Sequence, residues 1–212
     1  MHMRRAGLVA AAVTLLALAW TGPRSADAAM SFTAHMARHM LLVTLVPVLL
    51  VLGVAGTRAD PTTHAPGLFS PLVASLADLV VVWLWHMPAL HHAARLHWAA
   101  ALGEQGSFLL AGLWLWAAVL GGGPVRQVAV AGQSVVALLL TFAHMTMLGA
   151  LLGLAPRALF THSGADRPSL ALADQQAGGA LMLAVSAAAY VGAGVWLGRH
   201  LLRPAPGHEV TS

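Results

Sequence analysis

Cysteine is absent from the 212 residues, and lysine is absent with it. Without cysteine there are no disulfides, iron–sulfur clusters or thiolate metal sites, so His, Met and carboxylate are the strong side-chain metal ligands left. Charge is also scarce. Only 8% of residues are charged, 58% are hydrophobic and the mean hydropathy is +0.76, against roughly 25% charged residues in soluble domains. The sequence pI of 11.4 comes from eleven basic residues, all arginine, against seven acids. These are scattered through apolar sequence, so no basic patch is present to track phosphates and nucleic acid is excluded as a partner. What the chain does have in quantity is histidine, twelve residues, and methionine, nine.

Apolar runs of the length a bilayer requires, about 20 residues, occur near 6–21, 32–55, 68–87, 105–121, 128–154 and 176–198. They predict an all-α, polytopic transmembrane helical bundle of about six spans, one integral membrane domain over 1–212 with membrane lipid around it. Pro61 to Gly67, Gly121 to Pro124 and Pro156 punctuate the runs. The first run follows Met1-His2-Met3-Arg4-Arg5 and precedes Ala26-Asp27-Ala28. It reads as a retained helix, because it reaches Trp20 and a second run follows at once; a cleaved signal peptide is the alternative.

Placing Arg4 and Arg5 inside the cell puts Arg58, Arg126, Arg199 and Arg203 on their side and Arg24, Arg95, Arg157 and Arg167 opposite. This orientation gathers His35, His39, His86, His91, His92, His97, His144 and His162 toward the outer side, and leaves His2, His64, His200 and His208 inside. Trp83, Trp85 and Trp98 then bracket the outer interface, and Trp114, Trp116 and Trp196 suit the inner one.

The strongest local signal is His35-Met36-Ala37-Arg38-His39-Met40. Residues four apart share a helix face with Cβ atoms about 5–6 Å apart, so His35 and His39 can share a metal, and Met36 and Met40 repeat the spacing. Imidazole with thioether suits copper, especially Cu(I). The alternative is that the histidines bond neighbouring helices and the methionines pack. His86 ends the third run, and His91, His92 and His97 after it read singly as solvated or interfacial. His144 lies deep in the fifth run, where a polar group faces the bundle interior or a wet cavity. Arg38 and Asp78 are charges inside apolar runs that either pair with each other or leave Asp78 to a histidine. Glu104 and Asp174 read as helix N-terminal acids, or together with the outer histidines as a cation-attracting mouth. The small residues of the sixth run, Gly178 and Gly179 among them, read as close packing.

The order of motifs resembles the CtaG-type cytochrome c oxidase assembly factors, the membrane family associated with caa-type oxidases. The likeness covers most of residues 6–200. It is carried by FTAHMARHMLL at 32–42, Pro47 with LLVLG at 49–53, WLWHMPAL at 83–90, GSFLLAGLWLW at 106–116, HMTMLGALLGLAPRALF at 144–160 and DQQAGG at 174–179. The resemblance implies a non-enzymatic role in building the terminal oxidase of a bacterial cytoplasmic (inner) membrane, by handing copper to it. Its partners would be cytochrome c oxidase subunits and periplasmic copper chaperones. It points to His35, Met36, His39, Met40, His86 and His144 as metal ligands, and to Asp174 and Gln175 beside them. This chain departs from its relatives in having Glu104-Gln105 where they tend to have an acid followed by histidine, and in a shorter N-terminus. Rival readings are a metal-free scaffold for oxidase subunits, a b-type membrane cytochrome with His39 and His144 as axial haem ligands, and a di-iron oxygenase, for which the histidine spacings are wrong.

Overall fold

The computed structural model describes residues 2–21, 31–160 and 168–201. Ala26-Asp27-Ala28, His162, His208, Arg24, Arg167 and Arg203 lie outside them. Among the described residues every regular element is helical and there is no strand. Helix α1 is His2–Thr21 and α2 is Phe32–Val54. Proline opens α3 (Pro71–Trp85), α4 (Pro88–Leu96) and α6 (Pro124–Gly153), where its missing N–H costs nothing and its fixed φ suits the helix. Helix α5 is Trp98–Leu120, and α7 covers 168–201 with a π-helical stretch at Ala187–Val191.

Pro47 shapes α2. It cannot supply the α-helical hydrogen bond to the carbonyl of Val43, four residues earlier, and the helix widens to a π-turn over Leu41–Leu45. The orphaned Val43 carbonyl is met from α5, where the Trp116 indole N–H donates to it at 3.2 Å. Gly112, one turn before Trp116, allows that approach, because a Cβ there would run into the Val43 backbone. Trp116 also stacks on Tyr190 from the π-turn of α7, with ring centroids 5.5 Å apart. Trp116 is therefore a core residue at 1% exposure, not the interfacial one its position in the sequence suggested.

Helices α2, α7, α6, α3 and α5 pack each on the next and close into a ring, with α1 outside against α2 and α4 laid on α5. Glycine faces bring α6 and α7 together: a Cβ on Gly179 would meet the Gly149 carbonyl at 2.7 Å, the close approach that drives helix association in lipid. The ring is apolar outside, and inside it polar side chains are set within an apolar core. Leu76, Val80, Leu110, Val136, Leu139 and Leu151 are exposed, whereas Ser75, Asp78, His39, Ser134, Thr141, His144 and Ser186 are buried. A chain solvated by hydrocarbon is expected to have this inverted distribution.

Among the described residues, four helices are long and apolar enough to cross a membrane: Met3–Thr21, Phe32–Val54, Pro124–Gly153 and Ser169–Arg199. The pair α3 and α4, bent by 72° at the break, makes a fifth if it is one span. The expected six are not reached on these criteria. Helix α5 has the length, 23 residues, but Glu104 and Gln105 lower its hydropathy. It also starts at Trp98 rather than 105, so Glu104 lies in its second turn and is not an acid at its N-terminus.

Candidate functional site

The ring axis is lined by imidazoles from three helices. His39 of α2 is fully buried and meets His86, at the end of α3, edge to face with centroids 5.3 Å apart; it also meets Phe108 of α5 at 4.2 Å. His86 Nδ1 lies 2.6 Å from the Val82 carbonyl. A carbonyl only accepts, so Nδ1 carries the proton and Nε2 keeps the lone pair. His144 of α6 places Nε2 3.3 Å from Asp78 Oδ2. The contact is at ion-pair distance without hydrogen-bond geometry, so Asp78 sits beside the imidazole as a charge partner. Asp78 thus serves a histidine and not Arg38, the second of the two roles its sequence position allowed.

Both nitrogens of His39, Nε2 of His86 and Nδ1 of His144 are buried with no hydrogen-bond partner. Each such nitrogen costs about 1–3 kcal/mol, a penalty that a bound electrophile would remove. Of the six ligands read from the sequence, His39 and His86 are in ring contact; among the described residues the group whose ligand atoms gather closely enough for one ion is instead His35 with His91 and Glu104.

His35, one turn before His39 on the same face, has a different set of neighbours. Its Nε2 lies 3.7 Å from Glu104 Oε1 on α5, and its ring is T-shaped to that of His91 on α4, with centroids 4.8 Å apart. One ligand atom from each of His35, His91 and Glu104 lies within 4.8 Å of the others, and all three residues are buried. Gln105 Nε2 donates to the second Glu104 oxygen at 3.1 Å, leaving Oε1 turned to His35. Beside this group a cleft of about 540 Å³ is lined by Arg38, Arg95, Trp20 and Trp98 as well as His35 and Glu104.

Sequence reasoning missed His91, and of the two readings of Glu104 the structure favours its place beside the outer histidines over that of a helix N-terminal acid. His91 is 3% exposed, not solvated, because the 72° bend at His86-Met87-Pro88 folds α4 back over α5. The signal available was its pairing with His92: alternate exposure of adjacent residues on an amphipathic helix sends one inward, and His92 and His97 are indeed exposed.

The remaining candidates are placed away from these nitrogens or hold the scaffold. Met36 is fully buried toward α7, where a Cβ on Gly178 would meet its Cγ at 3.0 Å, and Met40 belongs to the same apolar core. Asp174 caps not its own helix but α2. Its carboxylate accepts from Phe32 N at 2.6 Å, Thr33 N at 3.1 Å and Ser31 Oγ at 2.9 Å. Gln175 accepts from Leu159 N at 2.7 Å and donates to the Leu152 carbonyl at 3.1 Å, satisfying backbone in the last turn of α6 and just beyond it.

A sequence model of the cytochrome c oxidase caa3 assembly factors, Caa3_CtaG, matches residues 1–204. No curated protein and no solved structure matches the chain. The chain belongs to the caa3-type cytochrome c oxidase assembly factor family.

Proposed function

We propose that this member of the caa3 assembly factors works at the outer face of a bacterial cytoplasmic membrane, where it passes copper to a cytochrome c oxidase under assembly and catalyses no reaction of its own. The observation that carries this reading is the set of orphaned imidazole nitrogens on His39, His86 and His144 inside the helix ring. In lipid, polar groups without partners are expensive and persist where they line a path for a substrate or ion. Imidazole without cysteine or a facing methionine holds copper as transferable cargo rather than as a thiolate-trapped ion. The spans in this reading are six, with α5 crossing despite its polar second turn and α3 crossing before the bend.

Copper delivery is tested with His39→Ala and His86→Ala in cells that depend on the oxidase. Each variant should accumulate in the membrane and lower oxidase activity, with partial recovery when copper is added to the medium. Normal activity in both would refute the path. Lost activity with unchanged copper in the oxidase would favour the metal-free scaffold, a reading supported by the structural bonds of Asp174 and Gln175 and by the core position of Met36. The haem alternative would use His39 and His144 as axial ligands, and His144 already turns its Nε2 to Asp78 Oδ2 at 3.3 Å, which leaves its Nδ1 for iron.

A further inference from the structure

We infer that His35, His91 and Glu104 form a second metal site, separate in chemistry from the imidazole cluster below it, that takes a divalent first-row transition ion of the Zn²⁺ class. Three helices that are distant in sequence, α2, α4 and α5, each contribute one ligand, and their ligand atoms already lie within 4.8 Å of one another. Ligands on one ion are at most about 4 Å apart, twice a bond of about 2.1 Å. The 3.7 Å from His35 Nε2 to Glu104 Oε1 meets that limit, and the 4.8 Å span of the three exceeds it by less than about 1 Å, which binding has to close. Two histidines and a carboxylate are a ligand set that zinc and iron(II) sites use with positions left open. Here the open side faces the cleft of about 540 Å³.

The surroundings narrow the ion further. Arg38 and Arg95 line the same cleft, so its field does not favour cations in general, and binding has to come from the bonds of the three ligands. That condition disfavours Mg²⁺ and Ca²⁺, which prefer all-oxygen shells, and favours a metal that gains strongly from imidazole. A carboxylate in the set distinguishes this site from the cluster of His39, His86 and His144, which is better suited to a softer ion. His35 and His39 are about 6 Å apart along α2 at 1.5 Å per residue, so the two sites sit one turn apart without sharing a ligand. An ion here would also tie α4, which packs on α5, to α2.

The test uses full-length protein in detergent, without a histidine tag and stripped by chelator, titrated with Co²⁺ as an optical stand-in for Zn²⁺. The wild type should develop visible d–d absorption that saturates at one ion per chain, is displaced by Zn²⁺ and is indifferent to excess Mg²⁺. Glu104→Gln and His91→Ala should weaken Co²⁺ binding at least tenfold, while His92→Ala and His97→Ala, at exposed positions, should leave it unchanged. No band in the wild type, or a band that survives Glu104→Gln, would overturn the site. The near-isosteric glutamine keeps this decisive even if the His91 variant fails to accumulate. The copper reading fails on different evidence: Co²⁺ bound as described with full oxidase activity in the His39 and His86 variants sinks the delivery path alone, and the reverse pattern sinks this site alone.

Discussion

Asp60 shows how much one side chain can organise at the end of the bundle opposite the histidines. Its carboxylate accepts from Gly56 N at 2.7 Å, Gly122 N at 2.6 Å, Thr62 N at 2.9 Å and Thr62 Oγ1 at 2.7 Å, tying the loop after α2 to the turn between α5 and α6. Burial alone would raise its pKa, but these donors outweigh that and hold the carboxyl below its ordinary value. A depressed folded-state pKa contributes stability that is fully present above the unfolded value of about 3.9 and lost as pH falls through the folded one. Thermal unfolding in detergent should therefore show wild-type stability declining as pH drops below about 4. Asp60→Asn should be less stable at neutral pH and flatter across that acid range; parallel curves for the two proteins would show that Asp60 does not contribute. The same scale explains what could be read early and what could not. The burial of His144 was legible because a polar group deep in an apolar run faces the bundle interior. Asp174 was misread because a carboxylate's preference for helix N-termini does not say which helix it caps.

Elements were legible wherever composition and period agreed, and blurred where a polar or bending residue interrupted an apolar run. The starts of α3 and α6 follow their prolines, while α5 extends seven residues before the predicted start at 105 because helix continues through polar sequence once α4 and α2 pack against it. The π-turn of α2 was not readable from Pro47 alone, since its relief depends on Trp116 and Gly112 in another helix. Two element-scale outcomes follow. Gly112→Ala should push α5 off the Val43 backbone and cost about 1–3 kcal/mol by overpacking, measured as a lower unfolding temperature. Asp174→Ala should leave the N–H groups of Phe32 and Thr33 unmet and cost about 1–2 kcal/mol. Because it frays the turn that carries His35, it should weaken Co²⁺ binding more than Gly112→Ala does. Equal effects of the two on Co²⁺ would mean that α2 keeps its first turn without the cap.

At the scale of the whole molecule, the closed ring with its buried polar side chains has to be oriented across the membrane, and α5 decides how. Helix α3 has 15 residues, about 22 Å at 1.5 Å per residue, short of the ~30 Å hydrocarbon core. The bend then turns α4 aside, so only α5 can carry the chain back across. If it does, His97 before α5 and Arg157 after α6 lie on the side of the histidine clusters, and Arg58 and Val125 lie on the other. All four positions are exposed, and the absence of native cysteine makes single-cysteine labelling clean. In intact cells with a permeable outer barrier, an impermeant maleimide should label His97→Cys and Arg157→Cys, and should reach Arg58→Cys and Val125→Cys only after the cytoplasmic membrane is opened. Labelling of His97→Cys and Val125→Cys from the same side would show that α5 does not cross, which would break the six-span arrangement. Exchange of the two pairs would keep the spans but turn the imidazoles toward the cytoplasm, and copper could not then reach an outward-facing oxidase centre through them.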